Sequence, residues 1–384
     1  MSLHRLLALA CGVGSVTLVG CSLLFATDDF AGGTPEGVPS QPPDDASTAD
    51  VIQTTSEGAV DAGTEAGDAD AGRPPARIYV MCGSSDGVNL REDGATSYAV
   101  VQGDGSLGAW KAGPPVPRPC LYGAAVVTDS FVAIAGGLLK GVGASGKFLV
   151  GPYDGGVITG FSESDSAFTP RQHLGAVMRG SHVFVMGGLD GPARGDVEHG
   201  ELDVGSVGLF VAGPSLPSPL TRFATASSAS NVYVVGGMDE SSARRAEILT
   251  ASFDGGGLAP FVPAGNLPSA RNYARAVVYR NSLLVVGGLT GAGVSVDDVL
   301  VYPIDSSGNL GAVRKTKPLP ATRNRHDIVV VDDRLYVLGG EAPGGGYSSD
   351  VFVGDLTPDG NVTAWRSTTT LPMPLVYHNA VVVR

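Results

Sequence analysis

The chain has 384 residues, 56 of them Gly and 26 of them Pro. These two residues interrupt regular structure and make up about 21% of the chain, nearly twice their usual share of about 12%, which excludes a mostly helical protein. The apolar fraction of 43% is enough for a substantial core, and the formal net charge of -13 argues against nucleic acid as the partner.

The first twenty residues predict an export signal. A short polar start containing Arg5 precedes an apolar run that is too short and too rich in Gly to favour a membrane-spanning helix. The segment Leu18-Val19-Gly20-Cys21 at its end resembles the bacterial lipobox. The resemblance implies removal of residues 1–20 and lipidation of Cys21, and therefore an exported protein anchored to the periplasmic or surface face of the cell envelope. The alternative is an ordinary cysteine in a signal that is cut elsewhere.

Residues 21–76 predict a flexible acidic tether. From residue 22 this segment carries eleven carboxylates against one basic residue, Arg73, and it is rich in Ala, Gly, Asp, Thr and Pro. Low hydrophobicity with charges of one sign does not offset the entropy lost on ordering. A coil of this length spans roughly 40 Å, enough to hold a domain clear of a membrane surface.

Residues 77–384 contain one pattern six times. An apolar run of β-branched and aromatic residues ends in a Gly pair in five copies, and the first copy ends in Cys82-Gly83 instead. The pairs begin at Gly136, Gly187, Gly236, Gly287 and Gly339. A period near fifty residues indicates a propeller or a solenoid.

A second signature accompanies the first in each copy. An Asp-Gly type of turn leads to a large side chain, which is Trp110 and Trp365 in two copies, and a Pro-containing loop and a further apolar strand follow. Four short strands per repeat with no helical period predict four-stranded antiparallel blades.

Residues 77–384 with these signatures resemble the Kelch-repeat family. The resemblance implies an all-β fold, a six-bladed β-propeller. The chain begins its repeats with a second strand and ends, at YHNAVVVR, with a first strand. We therefore expect the C-terminal strand to pair into the first blade and close the ring, which removes free sheet edges.

The propeller mouth is the expected binding site, since the resemblance places the loops that enter strand one on the face where such propellers bind. Aligned copies predict a rim of Tyr, Arg and His side chains there, suited to a carboxylate, phosphate or sugar. The predicted mouth residues are Tyr122, Arg171, His173, Arg222, Arg271, Tyr273, Arg323, Arg325 and Tyr377. The alternative is that the Arg and His side chains hold the loops together through backbone carbonyls.

The sequence predicts no catalytic residue, cofactor or metal site. The GxGxxG match that begins at Gly141 lies between strands and opens no helix, and Arg194-Gly195-Asp196 is an isolated tripeptide. The His residues lack metal-ligand spacing. Cys82 and Cys120, the pair left after export, are candidates for a disulfide on the mouth face.

These patterns predict a membrane-anchored binding module for a protein or glycan partner, with an anionic partner among the candidates and the membrane contacted only through the lipid. The alternative function is a carbohydrate-active enzyme of the sialic-acid mutarotase or oxidase type, which Kelch propellers include. Glu341 is the best-placed carboxylate for such chemistry, although a solvated loop residue has the same sequence context. An architectural envelope protein is the third possibility.

Overall fold

The computed structural model describes residues 74–87, 89, 94–165 and 167–384. The predicted signal, Cys21 and nearly all of the predicted tether lie outside the described residues. Every regular element within the described ranges is a strand. In the same ranges no helix has the length and apolar character needed to cross a membrane.

In chain order, the strands of the first half of the described ranges are β1 (Arg77–Ser84), β2 (Ser97–Val100), β3 (Lys111–Ala112), β4 (Cys120–Leu121), β5 (Ala124–Val127), β6 (Phe131–Ala135), β7 (Leu138–Leu139), β8 (Gly143–Ala144), β9 (Phe148–Asp154), β10 (Val157–Ile158), β11 (Ser162–Glu163), β12 (Gly175–Arg179), β13 (His182–Met186), β14 (Val197–Asp203), β15 (Ser206–Val207) and β16 (Val211–Ala212). They continue with β17 (Ala224–Ser227), β18 (Asn231–Val235), β19 (Glu247–Asp254), β20 (Gly257–Leu258), β21 (Val262–Asn266), β22 (Arg271–Asn272), β23 (Arg275–Tyr279), β24 (Ser282–Val286), β25 (Leu289–Thr290), β26 (Val299–Pro303), β27 (Arg314–Lys315), β28 (Asp327–Val331), β29 (Arg334–Leu338), β30 (Val351–Leu356), β31 (Val362–Ser367) and β32 (Val376–Val383).

The longer strands form six antiparallel sheets, one for each sequence repeat. Sheet I is β32, β1, β2 and β3; sheet II is β5, β6, β9 and β10 with β11; sheet III is β12 to β15 with β16; sheet IV is β17 to β20 with β21; sheet V is β23, β24, β26 and β27; sheet VI is β28 to β31. The short strands β4, β7 and β8 pair with one another, as do β22 and β25.

Sheet I is built from both ends of the described chain. Strand β1 pairs with β32 in antiparallel register from Arg77 opposite Val383 to Ser84 opposite Val376. The first strand of each sheet also contacts the first strand of the two neighbouring sheets, in the order β32, β5, β12, β17, β23, β28 and back to β32.

The hydrophobic core is divided into six clusters, each of which lies between two neighbouring sheets. A sheet covered on both faces needs apolar residues at successive positions, not only at alternate ones. Strands Phe131–Ala135 and Ser282–Val286 fit this requirement, because all five residues of each are buried. This all-β arrangement of repeated sheets is consistent with a β-propeller.

The Gly pairs are required by the backbone at the end of each second strand. Gly136 and Gly137 have φ values of 57° and 87°, in the left-handed region. A Cβ on Gly137 would lie 2.4 Å from the carbonyl oxygen of Leu121, so a side chain has no room there. Cys82 occupies the first position of the pair in sheet I with a φ of 60°.

In sheets II, III and VI, the large residue after the Asp-Gly turn packs on a glycine of the third strand. A Cβ on Gly354 would lie 2.8 Å from the ring of Trp365, and the same relation holds for Gly151 with Phe161. The ring therefore takes the space that a side chain on the third strand would occupy. The indole nitrogen of Trp365 also donates to the carbonyl of Lys317 at 3.1 Å.

Candidate functional site

Six residues, one from the entry to the first strand of each sheet, face a common cavity. They share the left-handed backbone conformation, with φ values from 53° to 60°, and all are partly exposed. We call them the mouth ring: Tyr122, His173, Arg222, Tyr273, Arg325 and Tyr377. Non-Gly residues rarely adopt this conformation, which costs roughly 1–2 kcal/mol for each residue.

The backbone of the mouth ring is hydrogen-bonded from one sheet to the next. The N–H of His173 donates to the carbonyl of Tyr122 at 2.8 Å, and the N–H of Arg222 donates to the carbonyl of His173 at 3.2 Å. The same bond recurs up to Tyr377, so five of the six steps around the ring are bonded. Every residue of the mouth ring takes part in at least one of these bonds.

The aromatic side chains of the mouth ring contact one another. The rings of Tyr122 and His173 stack with centroids 3.9 Å apart, and the Tyr377 ring meets that of Tyr122 edge-on at 4.6 Å. The Arg325 guanidinium lies 4.8 Å from the Tyr273 centroid, within range of a cation–π interaction. The surface offered at the mouth therefore combines aromatic faces with cations.

The mouth ring lines a cavity of about 420 Å³, counted with its opening to solvent, which we call the mouth pocket. Its wall also includes Arg275, just below the ring. Arg325 forms an ion pair with Glu341 at the edge of the pocket. The side chain of Glu341 is 20% exposed.

Electrostatics at the mouth favour anions. Burial lowers the pKa of His173 well below its ordinary value, and the charges of Arg222, Arg275 and Arg325 lower it further. The imidazole is therefore neutral at physiological pH, and three guanidinium groups act on the same point. Burial also raises the pKa of the Tyr122 and Tyr377 hydroxyls, which keeps them protonated as hydrogen-bond donors.

Three of the predicted mouth arginines lie away from the mouth pocket. Arg171, Arg271 and Arg323 are at most 1% exposed and are not in the wall of the mouth pocket. Each lies two residues before a residue of the mouth ring, where the chain passes from one sheet to the next. Each also forms an ion pair with the aspartate that directly precedes the third strand of its own sheet. These aspartates are Asp196, Asp298 and Asp350, respectively. The guanidinium of Arg271 also donates to the carbonyl of Gly287 at 3.2 Å. These contacts fit the alternative interpretation, in which such arginines hold the loops together.

A polar cluster below the mouth ring was missed by the sequence reasoning. Arg275, Asp327 and Asn379 occupy equivalent positions in the first strands of sheets V, VI and I. They line a second cavity of about 540 Å³, counted with its opening to solvent, which we call the channel pocket. Arg275 Nε lies 3.0 Å from Asp327 Oδ1. The equivalent residues of sheets II, III and IV are Ala124, Gly175 and Ala224. That contrast among aligned copies was visible in the sequence and is the signal that could have found the cluster.

Two of the histidines lie between sheets and not at the mouth. His326 and His378 are fully buried, and each packs against the first glycine of the preceding sheet's pair, Gly287 and Gly339. Leu174 packs on Gly136 in the same way. These histidines thus replace apolar residues at a packing position.

Cys82 and Cys120 form a disulfide in the structure, with Cα atoms 4.8 Å apart. The bond joins β1 of sheet I to β4, which leads into sheet II. It lies next to Tyr122, at the one step of the mouth ring that lacks the backbone bond within the described residues.

The other motifs singled out in the sequence have structural explanations. Arg194 and Asp196 of the isolated tripeptide pair with each other at 2.8 Å, and Asp196 also pairs with Arg171. Gly141 lies in a turn between β7 and β8, not at the start of a helix. Among the residues that the structure describes, no group of three or more His, Cys, Asp or Glu side chains could hold a metal ion.

A family model described as the KLHDC2/KLHL20/DRC7 Kelch-repeats domain matches residues 122–340, more than half of the chain. The chain belongs to the Kelch-repeat family. The segment that matches the Kelch model begins at Tyr122 of the mouth ring and contains all five Gly pairs, the last of which ends at Gly340. Kelch-repeat domains serve as protein-interaction modules, and membership suggests that role for this chain.

Proposed function

We propose that this Kelch protein is a binding module that takes a protein or glycan partner at the mouth ring. The observation that carries the proposal is the set of six non-Gly residues held at positive φ around one cavity. Strained backbone is retained where a side chain must be presented in a fixed direction, and functional sites are where this is usually found. The ring presents aromatic faces, tyrosine hydroxyls and guanidinium groups, which suits an anionic partner.

We further propose that the six sheets are the blades of a closed propeller. Support comes from the pairing of β1 with β32 and from the contacts of each first strand with its neighbours on either side. A closed ring fixes the six entry loops relative to one another, which a binding site assembled from all six requires. Deleting residues 376–384 would remove β32, and we expect loss of cooperative unfolding; retention of a native transition would contradict closure through sheet I.

The proposed location is the cell envelope, with Cys21 lipidated and residues 21–76 as the tether. The support is the sequence Leu18-Val19-Gly20-Cys21 and, independently, the disulfide between Cys82 and Cys120, since disulfides persist in oxidising compartments. In a bacterial host, labelled palmitate should enter the wild-type chain but not Cys21→Ala, and Cys21→Ala should leave the membrane fraction. Membrane retention of the variant would contradict the anchor.

The binding proposal is tested by screening the full chain against envelope proteins and a glycan array. Arg222→Gly removes a mouth guanidinium without adding backbone strain, and Arg179→Ala removes an arginine at the far end of β12 as the matched control. We expect Arg222→Gly to lower the affinity for a captured partner about tenfold or more. Arg179→Ala should leave that affinity unchanged. Equal loss in both variants, or in neither, would place the binding surface elsewhere.

A further inference from the structure

The channel pocket contains hydrogen-bond donors that the protein does not use. The Nδ2 group of Asn379 has no hydrogen-bond partner within the described residues, although the residue is only 3% exposed. An unpaired buried donor is costly, and such groups are retained where a water molecule or a ligand satisfies them. Asn379 lies in the wall of the channel pocket, so its partner would come from there.

Arg275 connects this pocket to the mouth. It lines both the mouth pocket and the channel pocket. Its Nε donates to the carbonyl of His326 and lies against Asp327, both at 3.0 Å, while its terminal nitrogens have no acceptor among the described residues. A forked guanidinium with its two outer nitrogens unused is arranged to bind a planar oxyanion.

Both carboxylate oxygens of the cluster are already occupied. Asp327 Oδ2 accepts from the N–H of Ala380 at 2.7 Å, and Oδ1 accepts from the N–H of Ile328 at 3.0 Å and faces Arg275. The groups left for a ligand are therefore the outer guanidinium nitrogens of Arg275 and the amide of Asn379. Counting Arg222, Arg275 and Arg325 against Asp327 and Glu341, the two pockets together carry one excess positive charge.

The shape of the site favours a sugar over an extended peptide. A peptide that binds as an added strand needs free backbone groups, and the N–H groups of the mouth ring are bonded in five of six steps. What faces the mouth is a set of aromatic rings with centroids 3.9–6.0 Å apart. Such rings accept the apolar face of a sugar ring, while side-chain donors take its oxygens.

We infer that the channel pocket is an oxyanion subsite, in which Arg275 and Asn379 bind the carboxylate of an acidic sugar whose ring rests on the mouth ring. The inference rests on the proposed function, because it names the ligand class of the same opening. The sheets divide around the channel into three with small residues and three with polar ones, so the carboxylate is bound on the side of sheets V, VI and I.

The experiment compares oligogalacturonate with its fully methyl-esterified form, which keeps the sugar ring and removes the charge. Calorimetric titration of the full chain should show the acid binding about tenfold or more tightly than the ester. Asn379→Asp replaces the free donor by an anion of the same size, and it should lower the affinity for the acid to that for the ester. The double variant Arg275→Ala, Asp327→Ala should lower the affinity for the acid in the same way. It leaves no unpaired buried charge, and it introduces the residue that sheets II and IV have at this position. Arg179→Ala should change neither titration.

Equal affinity for acid and ester, an unaffected Asn379→Asp variant, or no binding of oligogalacturonate at all would overturn the inference. A Glu-rich peptide that binds through Asn379 when the sugar does not would overturn the sugar assignment. Failure of the proposed function is distinguished from these outcomes by a different variant. Arg222→Gly tests binding at the mouth ring, including the binding of partners that do not reach the channel pocket.

Discussion

The buried arginines illustrate how one residue type serves two roles two positions apart. Arg271 is 1% exposed, donates to Ser269 and Gly287, and pairs with Asp298 at 3.0 Å. Arg325, two residues after the equivalent arginine of the next sheet, is partly exposed at the mouth. The sequence offered both as mouth arginines, and only the burial of the first kind separates them.

Arg271→Ala should therefore destabilise the fold. The change leaves the carboxylate of Asp298 partly buried beside Lys315 alone, and breaking a buried ion pair costs about 3–5 kcal/mol. Urea denaturation measures this loss, with Lys315→Ala as a control that removes only the exposed partner. A loss below about 1 kcal/mol would show that Arg271 does not hold its loop.

His326 gives the fold a predictable dependence on pH. Burial is the main cause that lowers the pKa of His326 well below its ordinary value, and Arg275, Arg323 and His378 add to the effect. The unfolded chain, with a histidine pKa near 6.5, then binds a proton that the folded chain does not. Stability should be complete above about pH 6.5 and fall as the pH drops below it. His326→Leu, which introduces the residue type that sheet III has at this position, should reduce that slope in denaturation series between pH 7.5 and 5. An unchanged slope would contradict the assignment.

At the level of elements, a glycine of the third strand and the large residue after the Asp-Gly turn form one packing unit in sheets II, III and VI. The sequence showed the large residue in most copies, but the glycine opposite it was not recognised, because a lone Gly in a strand has no distinctive pattern. Its reason is steric: the ring needs the space next to the strand.

Gly354→Ala should destabilise sheet VI. The added methyl would lie 2.8 Å from the Trp365 ring, and overpacking of this kind costs about 1–3 kcal/mol. Gly265→Ala is the matched control, since a Cβ there meets nothing within 4 Å. Chemical denaturation of both variants makes the comparison, and equal effects would refute the packing unit.

The disulfide is the element that joins sheet I to sheet II. Its two cysteines are separated by 38 residues, for which loop-closure entropy gives about 4 kcal/mol of stabilisation. Cys82→Gly, which introduces the residue of the other five copies, should lower the free energy of unfolding by about 2–4 kcal/mol and make it insensitive to reductant. A wild-type chain with the same denaturation midpoint with and without reductant would contradict this contribution.

At the scale of the whole molecule, much of the architecture could be predicted from the sequence. The Gly pairs repeat near every fifty residues because each marks the same left-handed turn. With Cys82-Gly83 as the sixth, their number matches the six larger sheets of the described residues. The pairing of β1 with β32 was predictable because the first repeat has no first strand of its own and the segment YHNAVVVR matches a first strand without its second. The positions of the mouth ring also came from aligning copies, since a repeat places equivalent residues equivalently; that they bind a partner stays a prediction.

The polar residues of the channel pocket could be predicted only in part. Alignment of the copies shows Arg275, Asp327 and Asn379 as departures from small residues, but no consensus marks them. The contact of Arg275 with Asp327 forms only when sheets V and VI lie side by side. Whether a side chain is buried or faces the mouth likewise depends on the direction it takes between two sheets. That direction is not encoded in the repeat spacing.

We propose that the mouth ring is held in a strained conformation to bind a partner and not to stabilise the fold. The free energy of unfolding of Arg222→Gly tests this directly. Glycine adopts a φ of 58° without strain, so we expect a stability equal to that of the wild type or higher by up to about 1 kcal/mol. A loss of more than about 1 kcal/mol would mean that the Arg222 side chain supports the fold, and would contradict the claim.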